Sequence, residues 1–140
     1  SELTSSFLWA QINSIEKIQN KRKKIWEKYN KTLESWASKN KIALPFIPKY
    51  STNNFHMFYM ICANNKQRDH IIQELKENGV HAVFHYLSLH KSPYFMEKHD
   101  TRELKNSDLY SRNLIRLPIY FELENDEQNQ IISMIKKIKF

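Results

Sequence analysis

The 140-residue chain has one glycine, Gly79, one cysteine, Cys62, four prolines and only two valines, Val80 and Val83. Loops that cradle phosphates need several glycines so that backbone N–H groups can approach the ligand, which excludes a Walker A loop and a GxGxxG dinucleotide fingerprint. A lone thiol closes no internal disulfide and builds no cysteine zinc site; this usage suits a reducing compartment and sets the expectation of a cytoplasmic protein. No apolar run approaches the roughly 18 to 20 residues of a membrane span, so no membrane partner is expected. The opening SELTSSFLWAQ also lacks the basic start and small-residue cleavage pattern of a signal peptide. There is no GxSxG elbow and Cys62 has no identifiable base partner, which leaves nucleophilic catalysis unsupported within this chain.

What is present is a basic, aromatic-rich composition. Lys+Arg 22 against Asp+Glu 15 gives +7, with 41% hydrophobic and 13% aromatic residues. A chain of this size can bury roughly two-thirds of its unfolded surface, so a single domain over residues 1–140 with a real core is expected and disorder is excluded. The charge admits nucleic acid, a membrane surface or a phosphorylated small molecule as partner. Ile, Lys and Asn are abundant while valine is scarce, which reads as a coding bias and weakens the charge as a functional signal.

From Leu3 to about Trp36 there is no Gly or Pro. Apolar residues recur at Leu8, Ile12, Ile15, Ile18, Trp26, Tyr29, Leu33 and Trp36, which predicts one long amphipathic helix with a polar interruption near Arg22. Its other face carries Lys17, Lys21, Lys23, Lys24, Lys28 and Lys31, either a solvated face or a track for a nucleic-acid backbone. Pro45 and Pro48 followed by STNN make a connector. FHMFYMIC, Phe55 to Cys62, predicts a central strand apolar on both faces. Asn65 is placed to cap a helix through Ile71, Ile72 and Leu75 that Asn78-Gly79 stops, and Val80 to Tyr86 follows as a second strand. Asp100 with Glu103 has the spacing of a capping box for a helix reaching Leu114, Arg116 to Ile119 is a short strand, and Asn125 with Gln128 caps a last helix whose apolar face is Ile131, Ile132, Ile135 and Ile138. The order of elements predicts an α/β (α+β two-layer) domain.

The histidines are the most suggestive chemistry: His56 in the first strand, His81 and His85 in the second, His90 just beyond it. If the two strands pair, His56 and His85 approach one another and His90 can fold back. A zinc site needs three such ligands and an open position, and no carboxylate sits at diagnostic spacing, so no metal is expected. The residues alone leave two readings open, hydrogen-bonded strand histidines or neutral donors to a polar ligand at a sheet edge.

Four segments carry a resemblance. SSFLWAQINSIEKI, NFHMFYMI, ELKENGVHAVFHYLSLHKSPYF and LIRLPIYFEL, in that order and spacing, closely resemble the C-terminal part of the DegT/DnrJ/EryC1/StrS family of sugar aminotransferases. The resemblance implies the small C-terminal domain of the aspartate-aminotransferase fold type, with a long first helix and a small, mainly antiparallel sheet. It further implies a parent homodimer whose large domain, absent here, holds pyridoxal phosphate (PLP), the Schiff-base lysine and most of the phosphate cup. No catalytic residue is then expected in this chain, and no PLP is expected to stay bound to it. The implied reaction moves an amino group from glutamate to a 4-keto-6-deoxy sugar nucleotide. His56, His85, Tyr86 and His90 match family motifs and are the implied substrate-side residues, as polar contacts or as pins for the loop. Ser88 stands where the family usually has proline before Leu-His, which predicts a less rigid loop. Arg116 offers either a fork for a diphosphate or a salt bridge within the fold.

Two other readings use less of the chain: a basic nucleic-acid-binding module built on the lysine face, and a helical partner-binding scaffold built on the first helix. The family reading also predicts exposed apolar surface, because consecutive Phe7, Leu8 and Trp9 cannot share one roughly 100° stripe.

Overall fold

A computed structural model describes all residues, 1–140. The first helix is two helices, α1 (Glu2–Ile12) and α2 (Ile15–Lys39), and the break falls at Asn13-Ser14 rather than near Arg22. The Asn13 N–H turns back to the carbonyls of Trp9 and Gln11, and Ser14 leaves helical geometry at φ −107°, ψ 9°. Asn and Ser side chains compete with the helical ladder, so adjacent copies are a natural stop. The expected apolar stripe is real only in α2, where Ile25, Trp26, Tyr29, Leu33 and Ala37 are buried; Leu8, Ile12 and Ile15 are exposed and α1 buries nothing. Four of the lysines of the opposite face are engaged by the chain itself. Lys21 pairs with Glu124, Lys23 with Glu27, Lys28 binds Asn125, and Lys17 lies over the Phe121 ring.

The remaining elements are β1 (Phe58–Ile61), α3 (Asn65–Glu77), β2 (Val83–Phe84), a 3-10 turn at Leu89–Lys91, α4 (Lys105–Asn113), β3 (Leu114–Leu117) and α5 (Asn125–Lys137). They form an α/β fold around a three-stranded antiparallel sheet of order β1-β3-β2. The strand expected at the centre, β1, is therefore at one end of the sheet, where its outer side exchanges two 2.9 Å hydrogen bonds with Ala43. It also starts late: the Asn53 and Asn54 side chains accept the N–H groups of Phe55 and His56, and Phe55 takes a positive φ of 54°. These local turns consume the donors that a longer ladder would need.

Alternation along the strands divides the sheet into two faces. Phe58, Met60, Ile115 and Leu117 are buried on one and pack with α2, α3 and α5 in a cluster of 19 buried hydrophobic residues. The Trp26 and Tyr29 rings meet Phe58 at 5.5 and 5.2 Å, and the Tyr29 hydroxyl donates to the Pro118 carbonyl at 3.1 Å. The Ile131, Ile132, Ile135 and Ile138 face of α5 is buried as expected. Tyr59, Arg116 and Val83 share the opposite face through the register Tyr59↔Arg116↔Val83 and stay only half-buried.

Helix ends depart from expectation by small steps with identifiable causes. The α3 cap is Asn64, whose side chain accepts the Gln67 N–H at 2.9 Å. The other end is a full left-handed stop: Gly79 has φ 77°, its N–H returns to Lys76 and that of Val80 to Leu75. Asp100 does not cap α4. It accepts from the Arg102 N–H and pairs with His99 and Arg102, and α4 begins five residues later with no side-chain cap. Because α4 runs directly into β3, that strand starts at Leu114 instead of Arg116. The α5 capping box is Glu124 with Glu127, which leaves Asn125 free to bind Lys28 and Gln128 to reach the Ile25 carbonyl at 2.7 Å. The second strand contracts from Val80–Tyr86 to Val83–Phe84.

Candidate functional site

The open face of the sheet gathers the polar groups. Arg116 occupies the middle strand with Tyr59 on one side and Val83 on the other, and His85 continues the Val83 face past the end of β2. His85 Nδ1 and Arg116 Nε are both buried and have no hydrogen-bond partner. Leaving such groups unpaired costs about 1 to 3 kcal/mol each, and either can pair with a group that the chain does not itself supply. Arg116 makes no salt bridge, which corrects that alternative for this residue. Burial holds the His85 pKa below its ordinary value, with the Arg116 and His56 charges adding to the effect. A neutral imbalance follows: a fixed guanidinium stands beside an imidazole that resists protonation. Burial, helped by Tyr110, raises the Tyr59 hydroxyl above its usual pKa and keeps it a neutral donor.

The four residues singled out by the sequence divide into two groups. His56 and His85 do not sit on paired strands, since β3 lies between β1 and β2, yet His56 is near enough for its charge to act on His85. The His56 ring is held by Asn54. Tyr86 is exposed, its ring 4.5 Å from that of His85. His90 lies in another group: its Nε2 is 3.2 Å from Asp108, and its ring is 5.2 Å from His99. It pins the turn after β2 onto α4. His81 lies in a separate groove beside Gly79 and Tyr120.

The loop at Ser88 is tied down, contrary to the expected loss of rigidity. Ser88 is 7% exposed at φ −63°, ψ 121°, a backbone that proline also adopts. Its N–H donates to Ser111 Oγ at 3.2 Å and its hydroxyl lies within reach of the Ser107 carbonyl and Asp108. Hydrogen bonds to α4 do here what ring closure does in proline. Asp108, His99 and Tyr59 were not singled out by sequence reasoning. The signal for Tyr59 is its cross-strand pairing with Arg116, which depends on a register that one sequence does not state.

Cofactor fit can be judged from the lysines. None is buried, so no amine in this chain is desolvated as a Schiff-base lysine requires. Nor does any group of three His, Cys, Asp or Glu side chains converge as metal ligands.

Comparison with known proteins follows the same line. DesV of S. venezuelae, solved in complex with a ketimine intermediate, is 20% identical over 94% of this chain and 34% of its own length, with a TM-score of 0.83. Helicobacter pylori PseC, an aminotransferase involved in the biosynthesis of pseudoaminic acid, is 16% identical over 92% of this chain and 34% of its own, TM-score 0.79. NtdA of Bacillus subtilis, solved with bound cofactor PMP, is 21% identical over 84% and 27%, TM-score 0.72. The chain thus has the fold of part of these enzymes and spans about a third of their length. The model of the DegT/DnrJ/EryC1/StrS aminotransferase family matches residues 1–136, and the chain belongs to that family.

Proposed function

We propose that this chain is the small domain of a PLP-dependent sugar aminotransferase, and that its open sheet face forms one wall of the active site. The parent moves an amino group from glutamate to a 4-keto-6-deoxy sugar nucleotide, a dTDP-sugar, as a dTDP-4-amino-4,6-dideoxygalactose transaminase serving lipopolysaccharide or other cell-surface polysaccharide synthesis. The sequence segments around HAVFHYLSLH favour that member of the family. One observation carries the site assignment: His85 Nδ1 and Arg116 Nε are buried, adjacent in effect, and unpartnered.

In this reading Arg116 presents its fork to an anionic oxygen of the substrate, His85 meets a sugar hydroxyl or carbonyl oxygen as a neutral imidazole, and His56 and Tyr86 border the same face. His90 acts through the loop it pins. The large domain supplies the cofactor, which provides the electron sink, and the parent is a homodimer in the cytoplasm. The fragment alone is inactive because it offers no desolvated lysine.

The test uses the parent polypeptide with its upstream region, glutamate and a dTDP-4-keto-6-deoxy sugar, with 2-oxoglutarate formation as readout. His85→Ala and Arg116→Ala should each lower kcat/KM at least about tenfold, roughly the loss of one charge-assisted hydrogen bond. Wild-type kinetics in both variants would remove the sheet face from the site. Absence of turnover with every keto-sugar nucleotide would remove the substrate class.

A further inference from the structure

A polar concavity lies along α4. It measures about 770 Å³ and runs from the start of α3 across α4 to the loop after His90, and only three of its fifteen lining residues are hydrophobic. Three independent features meet there. First, α3 is a 13-residue helix whose Asn65 and Lys66 N–H groups have no acceptor in the chain, and its first turn has no acidic residue. Asn64 satisfies the Gln67 N–H, and these two donors are left over at the positive end of the helix. Second, Asn113 is only 8% exposed, lines the cleft, and its side-chain amide makes no hydrogen bond. The side chain is packed in, but its amide is not sealed from solvent and can pair with a ligand. Third, the carboxylates that line the cleft are already matched, Asp108 by Lys91 at 2.7 Å and Glu103 by Lys105 at 3.7 Å, whereas Arg112 lines it with no carboxylate partner.

We propose that this cleft is an anion site that takes a phosphate group, with the Asn65 N–H, the Asn113 amide and the Arg112 guanidinium as its donors. A phosphate offers acceptor oxygens to all three kinds of donor at once, and the helix end and guanidinium both favour its charge. The site shares only His90 with the substrate-side residues that the resemblance implied, and it does not depend on the aminotransferase reading. The same chemistry arises from free phosphate or from the phosphates of a nucleotide.

The experiment is amide NMR on the 140-residue chain, titrated separately with inorganic phosphate and with thymidine diphosphate at constant ionic strength. Saturable shifts of the Asn65 amide and the Asn113 side-chain NH2 are expected, with affinity about tenfold weaker in Arg112→Gln, an exposed substitution that leaves the core intact. Equal affinity for both probes assigns free phosphate as sufficient ligand; tighter thymidine diphosphate binding with added shifts at His99 and Arg102 assigns a nucleotide. Small shifts spread over the whole surface and unchanged in Arg112→Gln, or shifts confined to the His56 and His85 face, overturn the proposal. A Lys137→Gln control removes one surface charge far from the cleft and should bind as wild type does.

Discussion

Ser88 Oγ stands 3.3 Å from Asp108 Oδ1, the same oxygen that Lys91 Nζ meets at 2.7 Å and His90 Nε2 at 3.2 Å. One carboxylate on α4 thus holds three consecutive points of the loop that follows β2. Ser88→Ala should destabilise the chain by about 1 kcal/mol through the lost hydroxyl bonds. Ser88→Pro loses the N–H bond to Ser111 as well, but it suits φ −63° and recovers about 0.4 to 1 kcal/mol from the stiffer unfolded chain, so it should fall close to the alanine variant. Urea unfolding at equal m values checks the pair; a proline variant clearly more stable than wild type would show the hydrogen bonds to be worth little.

The Asp108 pKa is held low, first by its hydrogen bond from Lys91 and then by the Lys91 and His90 charges. A depressed carboxylate contributes stability that is present above its unfolded pKa, about 4, and is lost as pH falls through the lower folded value. Asp108→Asn should therefore be less stable than wild type at pH 7, with the gap closing as pH falls below the unfolded value of about 4 and through the lower folded one. A constant gap across that range in urea unfolding would assign the loss to packing instead of charge.

His85 titrates in the opposite sense to a histidine that gains an anionic partner. Its pKa is lowered by burial first and by Arg116 and His56 next, so the folded state binds fewer protons than the unfolded chain below about pH 6.5. Its contribution is complete above that pH and is lost as pH falls toward the folded value. Imidazole NMR should place His85 below the ordinary histidine range, and Arg116→Ala should raise it only part of the way because burial remains. A wild-type His85 that titrates at the ordinary value would contradict the buried placement of its Nδ1.

Cys62 is 3% exposed and burial pushes its thiol up to about 12. At pH 8 that leaves roughly one thiolate in ten thousand, so a disulfide reagent should label the folded chain only as fast as it opens. Labelling at the rate of a free thiol, with no dependence on urea, would place Cys62 at the surface.

The α1 helix exposes Leu3, Phe7, Leu8 and Trp9 at 85, 71, 56 and 67%. Contiguous apolar surface of this kind associates in water. Sedimentation should show concentration-dependent self-association that Trp9→Lys weakens, with no loss of thermal stability because α1 buries nothing. A monomer at every accessible concentration would show that the helix needs no cover.

Much of the chain was legible because local rules act within a few residues. The α5 isoleucines, the Gly79 stop and the Pro45-Pro48 connector are set by periodicity, by a left-handed φ that glycine favours, and by ring closure, none of which depends on distant chain. The family was legible as well, from ordered motifs. Three things came only from tertiary structure. The sheet order placed β3 between β1 and β2, because antiparallel pairing is chosen by which strand can bury Ile115 and Leu117 against α2 and α5, and that choice separated His56 from His85. The Asn13-Ser14 break depended on core contacts that begin at Ile25, leaving the earlier apolar residues without a partner to hold one straight helix. And His90, four residues from the Tyr86 ring in sequence, turned away to Asp108 because a carboxylate 18 residues further on folds back across the loop, a long-range pairing that spacing along the chain does not encode.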